Sequence, residues 1–329
     1  MLLEGFGKRH AFGQNGAMVE AAGVRVAWRD IAPEIRDAAA DLLGSPIIEA
    51  RTQRGGFSPG SADRVVCADG RRAFVKTATA AANPEVLTIH RREAAVNGIL
   101  PPGVPAPRMI GAVDTGEWML LAFDDVAGAQ PALPWTDVDV RATVAAIDSV
   151  RSAPLDERAG AVLPAADVEL AGLTSAWARI VQDPAGMRAE DLPREADAWA
   201  ADDTLVGLHG DALVHYDIRA DNTLIRPGGD AVLVDWPWAL RGAGWIDLVQ
   251  LGFNIRLHDP GFDVERLVRE HPAFAGVPPQ HVTRLLIVFG GFLLHKSREP
   301  DPPGLPTLRA FQRAQARAIL EWVAERSSR

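Results

Sequence analysis

Three side chains stand in the pattern His-x-Asp-x-x-x-x-Asn: His215, Asp217 and Asn222. A hairpin later the chain reads Val234-Asp235-Trp236-Pro237. An Asp at a loop bend can accept a hydrogen bond, or the proton itself, from a hydroxyl nucleophile. An amide oxygen five residues on and a carboxylate at the end of the next hairpin are hard oxygen donors suited to Mg²⁺. Phosphoryl transfer from a nucleoside triphosphate asks for little else: an acceptor hydroxyl held in line, and metal ions against the phosphate oxygens. Each residue type is also common in turns and caps. Their joint placement around one hairpin points to chemistry. A second opening, His209-Gly210-Asp211, fails because the position five beyond Asp211 is Tyr216, which cannot replace an amide oxygen on a metal.

Such groups need rigid elements to hold them. Residues 30–44 read as a helix with Asp30 placed as N-cap and Gly44 as its end. Three short strands follow, Ile47 to Gln53, Ala62 to Ala68 and Arg72 to Thr77. Glycine-rich residues 55–61 make the first join, and Asp69-Gly70 makes the second a tight hairpin. Helical spacing returns over 84–100, then two strands, Arg108 to Val113 and Trp118 to Phe123. Beyond Gly128 the pattern turns helical over 137–151, 166–182, 190–202, 244–257, 263–270, 279–297 and 306–326, around a block of short strands at 204–235. The expected class is α+β and two-lobed, a small antiparallel β lobe joined to a larger, mainly helical lobe. The expected division is a leader over 1–29, a small lobe over 30–123 and a large lobe over 124–329.

At His215, Asp217, Asn222 and Asp235 the chain resembles the aminoglycoside phosphotransferase and choline-kinase-like branch of the protein-kinase-like fold. The resemblance spans roughly residues 45–300. It implies Asp217 as base or orienting residue, Asn222 and Asp235 as ligands of Mg²⁺, and Asp247, in Gly244-Trp245-Ile246-Asp247, as a brace for the loop. It also implies that Lys76, at the end of the third strand, meets the phosphates of ATP or GTP while a helix glutamate holds it. Glu93 suits that role because it shares a face with Ile89 and Val96, and Glu85 is the alternative. The glycine-rich join, with Ser58 and Gly60, takes the place of the nucleotide loop, although Pro59 removes one N–H donor. The segment from Leu121 to Asp125, including Phe123, takes the place of the linker that faces the base. Trp236, Trp238, Arg219 and Asp221 are read first as packing and local ion pairs. His258, Asp259 and Asp263 fall where an acceptor wall would stand.

Composition narrows the classes. The net charge of −9 argues against general nucleic-acid binding. Between Asp124 and Asp203 there are 16 acidic against 6 basic side chains, which covers the whole excess. Solvated helix faces explain that stretch; attraction of a cationic substrate is the sharper alternative. Cys67 is the only cysteine, so no internal disulfide and no cysteine-based zinc site can form. No secretory signal or membrane span is visible, and a soluble, cytoplasmic protein is expected. The expected function is transfer of a γ-phosphoryl group to a hydroxyl of a small molecule, an antibiotic or a metabolite. The alternatives are a kinase-fold protein that binds nucleotide without turnover and a protein kinase. The short span between Asp235 and Asp247 disfavours the last.

Overall fold

The structure, a computed structural model, describes residues 23–53, 55–56, 60–81, 84–187 and 191–328. Helix α1 (Pro33–Leu43) starts later than expected, because Ala32 is its N-cap and Asp30 belongs to a preceding 3-10 turn, Trp28–Asp30. Pro33 sets the start: its fixed φ and missing N–H suit the first helical position.

Strands β1 (Ile47–Thr52), β2 (Ser61–Cys67), β3 (Arg72–Thr79), β4 (Met109–Asp114) and β5 (Trp118–Asp124) form one antiparallel sheet in the order β1-β2-β3-β5-β4. Helix α2 (Pro84–Asn97) is inserted between β3 and β4. Side chains alternate along a strand, and the two faces of this sheet feed separate cores. Val65, Cys67, Val75, Leu120 and Ala122 pack with Ile35, Ala39 and Leu43 of α1. Ala78, Met119, Leu121 and Phe123 pack with Val86 and Leu87 of α2. Lys76, between Phe74 and Ala78, therefore emerges on the α2 side, opposite Leu121 in the ladder.

The remainder is mainly helical. It comprises α3 (Asp137–Arg151), α4 (Glu157–Val162), α5 (Ala166–Glu169), α6 (Ala176–Gln182), α7 (Ala196–Ala201), α8 (Ile246–His258), α9 (Val264–Glu270), α10 (Pro279–Lys296) and α11 (Leu308–Ser327). The single helix expected over 166–182 is broken by a 3-10 turn, Ala171–Ser175, which contains the poor helix former Gly172. The helix expected from 190 begins only at Ala196, after Pro193. Short strands β6 (Ala212–Val214) and β9 (Leu240–Gly242) pair, as do β7 (Thr223–Ile225) and β8 (Ala231–Leu233). One large core beneath them includes the fully buried Trp177, Trp236 and Trp322.

The linker is tied to both lobes. Asp125 takes Arg64 at 2.6 Å and Arg72 at 3.0 Å from the small sheet. Ala129 and Ile225 of β7 exchange backbone hydrogen bonds of 3.0 and 2.7 Å. Among the described residues no helix is long and apolar enough to cross a membrane.

Candidate active site

The loop from His215 to Asn222 is held in an unfavourable shape by one helix. Tyr216 has φ 63° and Asp235 φ 69°, left-handed conformations that a bulky side chain adopts only under constraint. Helix α8 supplies the constraint at Tyr216. Asp247 accepts from the backbone N–H groups of His215 (2.8 Å) and Tyr216 (2.9 Å). Gln250 donates to Tyr216 O (3.0 Å) and accepts from Ile218 N–H (3.1 Å). Asn254 accepts from Ala220 N–H and from the Trp135 indole, each at 3.2 Å. The 247, 250, 254 spacing lines one helix face, and burial of these polar groups is tolerated because their hydrogen bonds are made. Burial pushes the Asp247 carboxyl up to about 7, against the opposite pull of its two N–H donors.

The imidazole of His215 joins this loop to the strand that delivers Asp235. Its Nδ1 accepts from Asp217 N–H (3.2 Å), which leaves Nε2–H to donate to Val234 O (3.1 Å). Burial holds the ring neutral, with its pKa lowered to about 4. The Tyr216 ring packs edge-on to Phe289, but its buried hydroxyl has no hydrogen-bond partner among the described residues. Tyr216→Phe should thus leave stability unchanged or raise it by up to ~1 kcal/mol, read as the denaturation midpoint in urea. A clear loss of stability would mean that the hydroxyl is bonded after all.

The chemistry-bearing side chains converge. Lys76 Nζ lies 2.7 Å from Glu93 Oε1 of α2 and 2.7 Å from Asp235 Oδ1 of the other lobe. Burial alone would depress the lysine pKa; Asp235 and Glu93 more than offset it and raise it. For Asp235, the charges of Lys76 and Arg219 outweigh burial, and its pKa is lowered. Glu93 is more deeply buried, and burial with repulsion from Asp235 raises it to about 7. Asp217 accepts two bonds from Arg219 (2.8 and 3.0 Å) and one from the Asn222 amide (2.8 Å). Burial, reinforced by Asp221 and Asp235, still pushes Asp217 up to about 6. Arg219 also grips Asp221, so these two form the local ion pair expected for them.

A cleft of about 400 Å³ between the lobes is lined by Lys76, Glu93, Phe123, Asn222, Asp235 and Trp236, with the linker along one side. Asp217 adjoins it through Asn222, its side chain 18% exposed. Gly60 lies outside the lining: at φ 135° a Cβ there would sit 2.2 Å from Thr77 O, so the β2–β3 ladder itself requires glycine. Gly55, Gly56 and Arg25 line the cleft instead. Ser58 lies outside the described residues. Glu85 is exposed while Glu93 is buried, which decides between them. Trp236 is core, its indole bonded to Leu233 O, and Trp238 is half-exposed beneath Arg92. Asp263 caps α9, and Asp259 closes a turn on Gly261 N–H. His258 at the end of α8 is partly buried, and that burial lowers its pKa. His209 and Asp211 of the rejected register are largely exposed, paired with Asp167 and Arg241.

The donor set suits a magnesium ion bound together with phosphate. Asn222 spends its amide N–H on Asp217 O and Oδ2, which leaves the carbonyl oxygen as acceptor; Asp235 keeps Oδ2 beyond its contact with Lys76. Among the described residues no group of three or more His, Cys, Asp or Glu is placed to hold a metal unaided. Mg²⁺ characteristically takes one or two protein oxygens and completes its shell with substrate phosphates and water.

No family model and no curated protein matches the sequence. Solved structures do match in fold. A thermostable mutant of aminoglycoside phosphotransferase APH(4)-Ia, in ternary complex with ADP and hygromycin B, aligns with TM-score 0.58 and 13% identity over 88% of this chain and 98% of that one. Macrolide 2'-phosphotransferase MphH from Brachybacterium faecium, an apoenzyme, gives 0.55 and 18% over 87% and 98%. An aminoglycoside phosphotransferase from Alicyclobacillus acidocaldarius gives 0.55 and 16% over 91% and 97%. At these identities the likeness establishes the architecture, the two-lobed α+β fold that the resemblance implied.

Proposed function

We propose that this protein is a nucleotide-dependent O-phosphotransferase that moves the γ-phosphoryl group of ATP or GTP to a hydroxyl of a small molecule. The observation that carries the reading is the meeting of Lys76 and Glu93 from one lobe with Asn222 and Asp235 from the other in a single cleft, with Asp217 beside it. The fold-level neighbours support it, one holding ADP with hygromycin B as a small-molecule partner.

In this reading Lys76 meets the phosphates, and Glu93 keeps it aimed once Asp235 turns to the metal. Asn222 Oδ1 and Asp235 would hold Mg²⁺, which neutralises charge on the transferred group when bound with the nucleotide. Asp217 accepts the hydrogen bond of the acceptor hydroxyl and takes its proton as the new O–P bond forms and the bond between the γ-phosphorus and the bridging oxygen breaks, with the nucleoside diphosphate as leaving group. Arg219 and Asn222 fix the carboxylate for that task. Gln250, Asn254 and Asp247 hold the loop backbone so that this geometry exists before substrate arrives.

The test is an acceptor screen with MgATP and MgGTP, read by mass spectrometry for an added phosphate on antibiotics, amino alcohols and sugars. Phosphorylation of at least one acceptor is expected, abolished by EDTA. Nucleotide binding with no phosphate release to any acceptor or to water would favour the turnover-free alternative.

A further inference from the structure

The segment before α1 delivers a second cation to the nucleotide cleft. Residues 23–26 run along the glycine-rich join: Gly23 N–H donates to Gly56 O (3.0 Å) and Val26 N–H to Gly60 O (3.0 Å), while Arg25 forms a parallel bridge with Gly60. Val24 N–H donates to Gly304 O of the large lobe (2.7 Å), so the segment straps the lobes together. The extended backbone alternates. Val24 and Val26 face solvent, and Arg25 lines the cleft with Lys76 and Asp235.

The site around Arg25 is shaped for a guanidinium. Its Nη2 donates to Gly55 O (2.7 Å). A Cβ on Gly56 would approach Nη2 to 3.2 Å, at a φ of 75° that disfavours any side chain, so glycine there makes room. Burial lowers the Arg25 pKa, and Asp235, Asp63 and Asp221 are among the acids that oppose it. Of the other cations on the cleft wall among the described residues, Arg64 is tied to Asp125, and Lys76 is shared between Glu93 and Asp235.

A triphosphate entering this cleft brings several negative charges close to Asp221 and Asp235, and one shared lysine answers few of them. A guanidinium offers a planar fork of donors that matches phosphate oxygens. The strap's own backbone bonds hold Arg25 in place, so its side chain is presented to the cleft in advance of binding. We infer that Arg25 binds the phosphates of the nucleotide, as a second cation beside Lys76. This deepens the phosphotransferase reading and rests on it.

The test titrates the wild type, Arg25→Gln and Arg25→Lys with MgATP and adenosine, and in parallel with MgGTP and guanosine. Both variants keep the strap's backbone bonds, and thermal melts without ligand check that they fold. Arg25→Gln should weaken the triphosphate that the wild type binds by ~10–100-fold, the scale of hydrogen bonds to a charged group. The parent nucleoside should bind as before, and Arg25→Lys should lose less. Equal losses for triphosphate and nucleoside would make Arg25 a prop for the loop; no loss for either would remove it from the site. Both outcomes overturn the inference while leaving the phosphotransferase reading in place. A wild type that binds neither triphosphate sinks the two together.

Discussion

Asp217→Ala should reduce turnover by ~10²–10⁴-fold, the scale of a positioned general base, and leave the affinity for nucleotide nearly intact. The split follows from geometry. Asp217 adjoins the cleft through Asn222 and does not line it, so the nucleotide loses no direct partner. The acceptor hydroxyl would lose the group proposed to orient it and receive its proton. Loss of nucleotide affinity in step with turnover would instead assign Asp217 to upkeep of the cleft, and unchanged kinetics would remove it from the mechanism.

As the proposed base, the same carboxylate should set a pH limb. Its pKa is pushed up to about 6, first by burial and then by Asp221 and Asp235, with Arg219 and Asn222 pulling the other way. A base must be ionised to act, so kcat/KM should fall about tenfold per pH unit below about 6 and level off above it. The residual activity of Asp217→Ala should lack that limb. His215 cannot supply it: burial lowers the imidazole to about 4, and both ring nitrogens are already engaged by the backbone.

What the sequence displays and what it hides follow physical lines. The strands of the small lobe were legible because two-residue alternation and Asp69-Gly70 leave little freedom in pairing, and the register places Lys76 on the α2 face as expected. His215, Asp217, Asn222 and Asp235 were legible because residue type and spacing are dictated by one hairpin, β7–β8. Gln250 and Asn254 were missed for the opposite reason. They lie on α8, a helix buried along nearly its whole length, and their partners are backbone groups 32 and 34 residues earlier in the chain. The available signal was three polar side chains, Asp247, Gln250 and Asn254, on one face of the otherwise apolar run over residues 246–255. Arg25 was missed because bridge pairing to Gly60 gives a short extended segment no periodicity to read. Gly60 shows a further kind of ambiguity: a glycine suited to close approach by phosphate is here needed for close approach by the Thr77 carbonyl.

The second large effect belongs to Asp235, and the choice of substitution matters. With φ at 69°, Asp235 occupies a region where Asn is tolerated far better than Ala, so Asp235→Asn isolates the charge from the backbone. The wild-type carboxylate is held by Lys76 at 2.7 Å, and in the proposed reading a magnesium ion arriving with nucleotide would be its second claimant. In that reading, neutralising it would weaken the hold on the metal and free Lys76 for the phosphates. Affinity for MgATP should therefore fall by ~30–1000-fold, the range for loss of one partner from a buried charge pair, while affinity for metal-free ATP holds or rises. The decisive quantity is the ratio of the two affinities in a magnesium titration. It should collapse toward one in Asp235→Asn, and a ratio equal to that of the wild type would place the metal elsewhere. Lys76→Met makes the complementary case: it removes the proposed phosphate contact and leaves the proposed metal donors, so affinity should drop with and without magnesium alike.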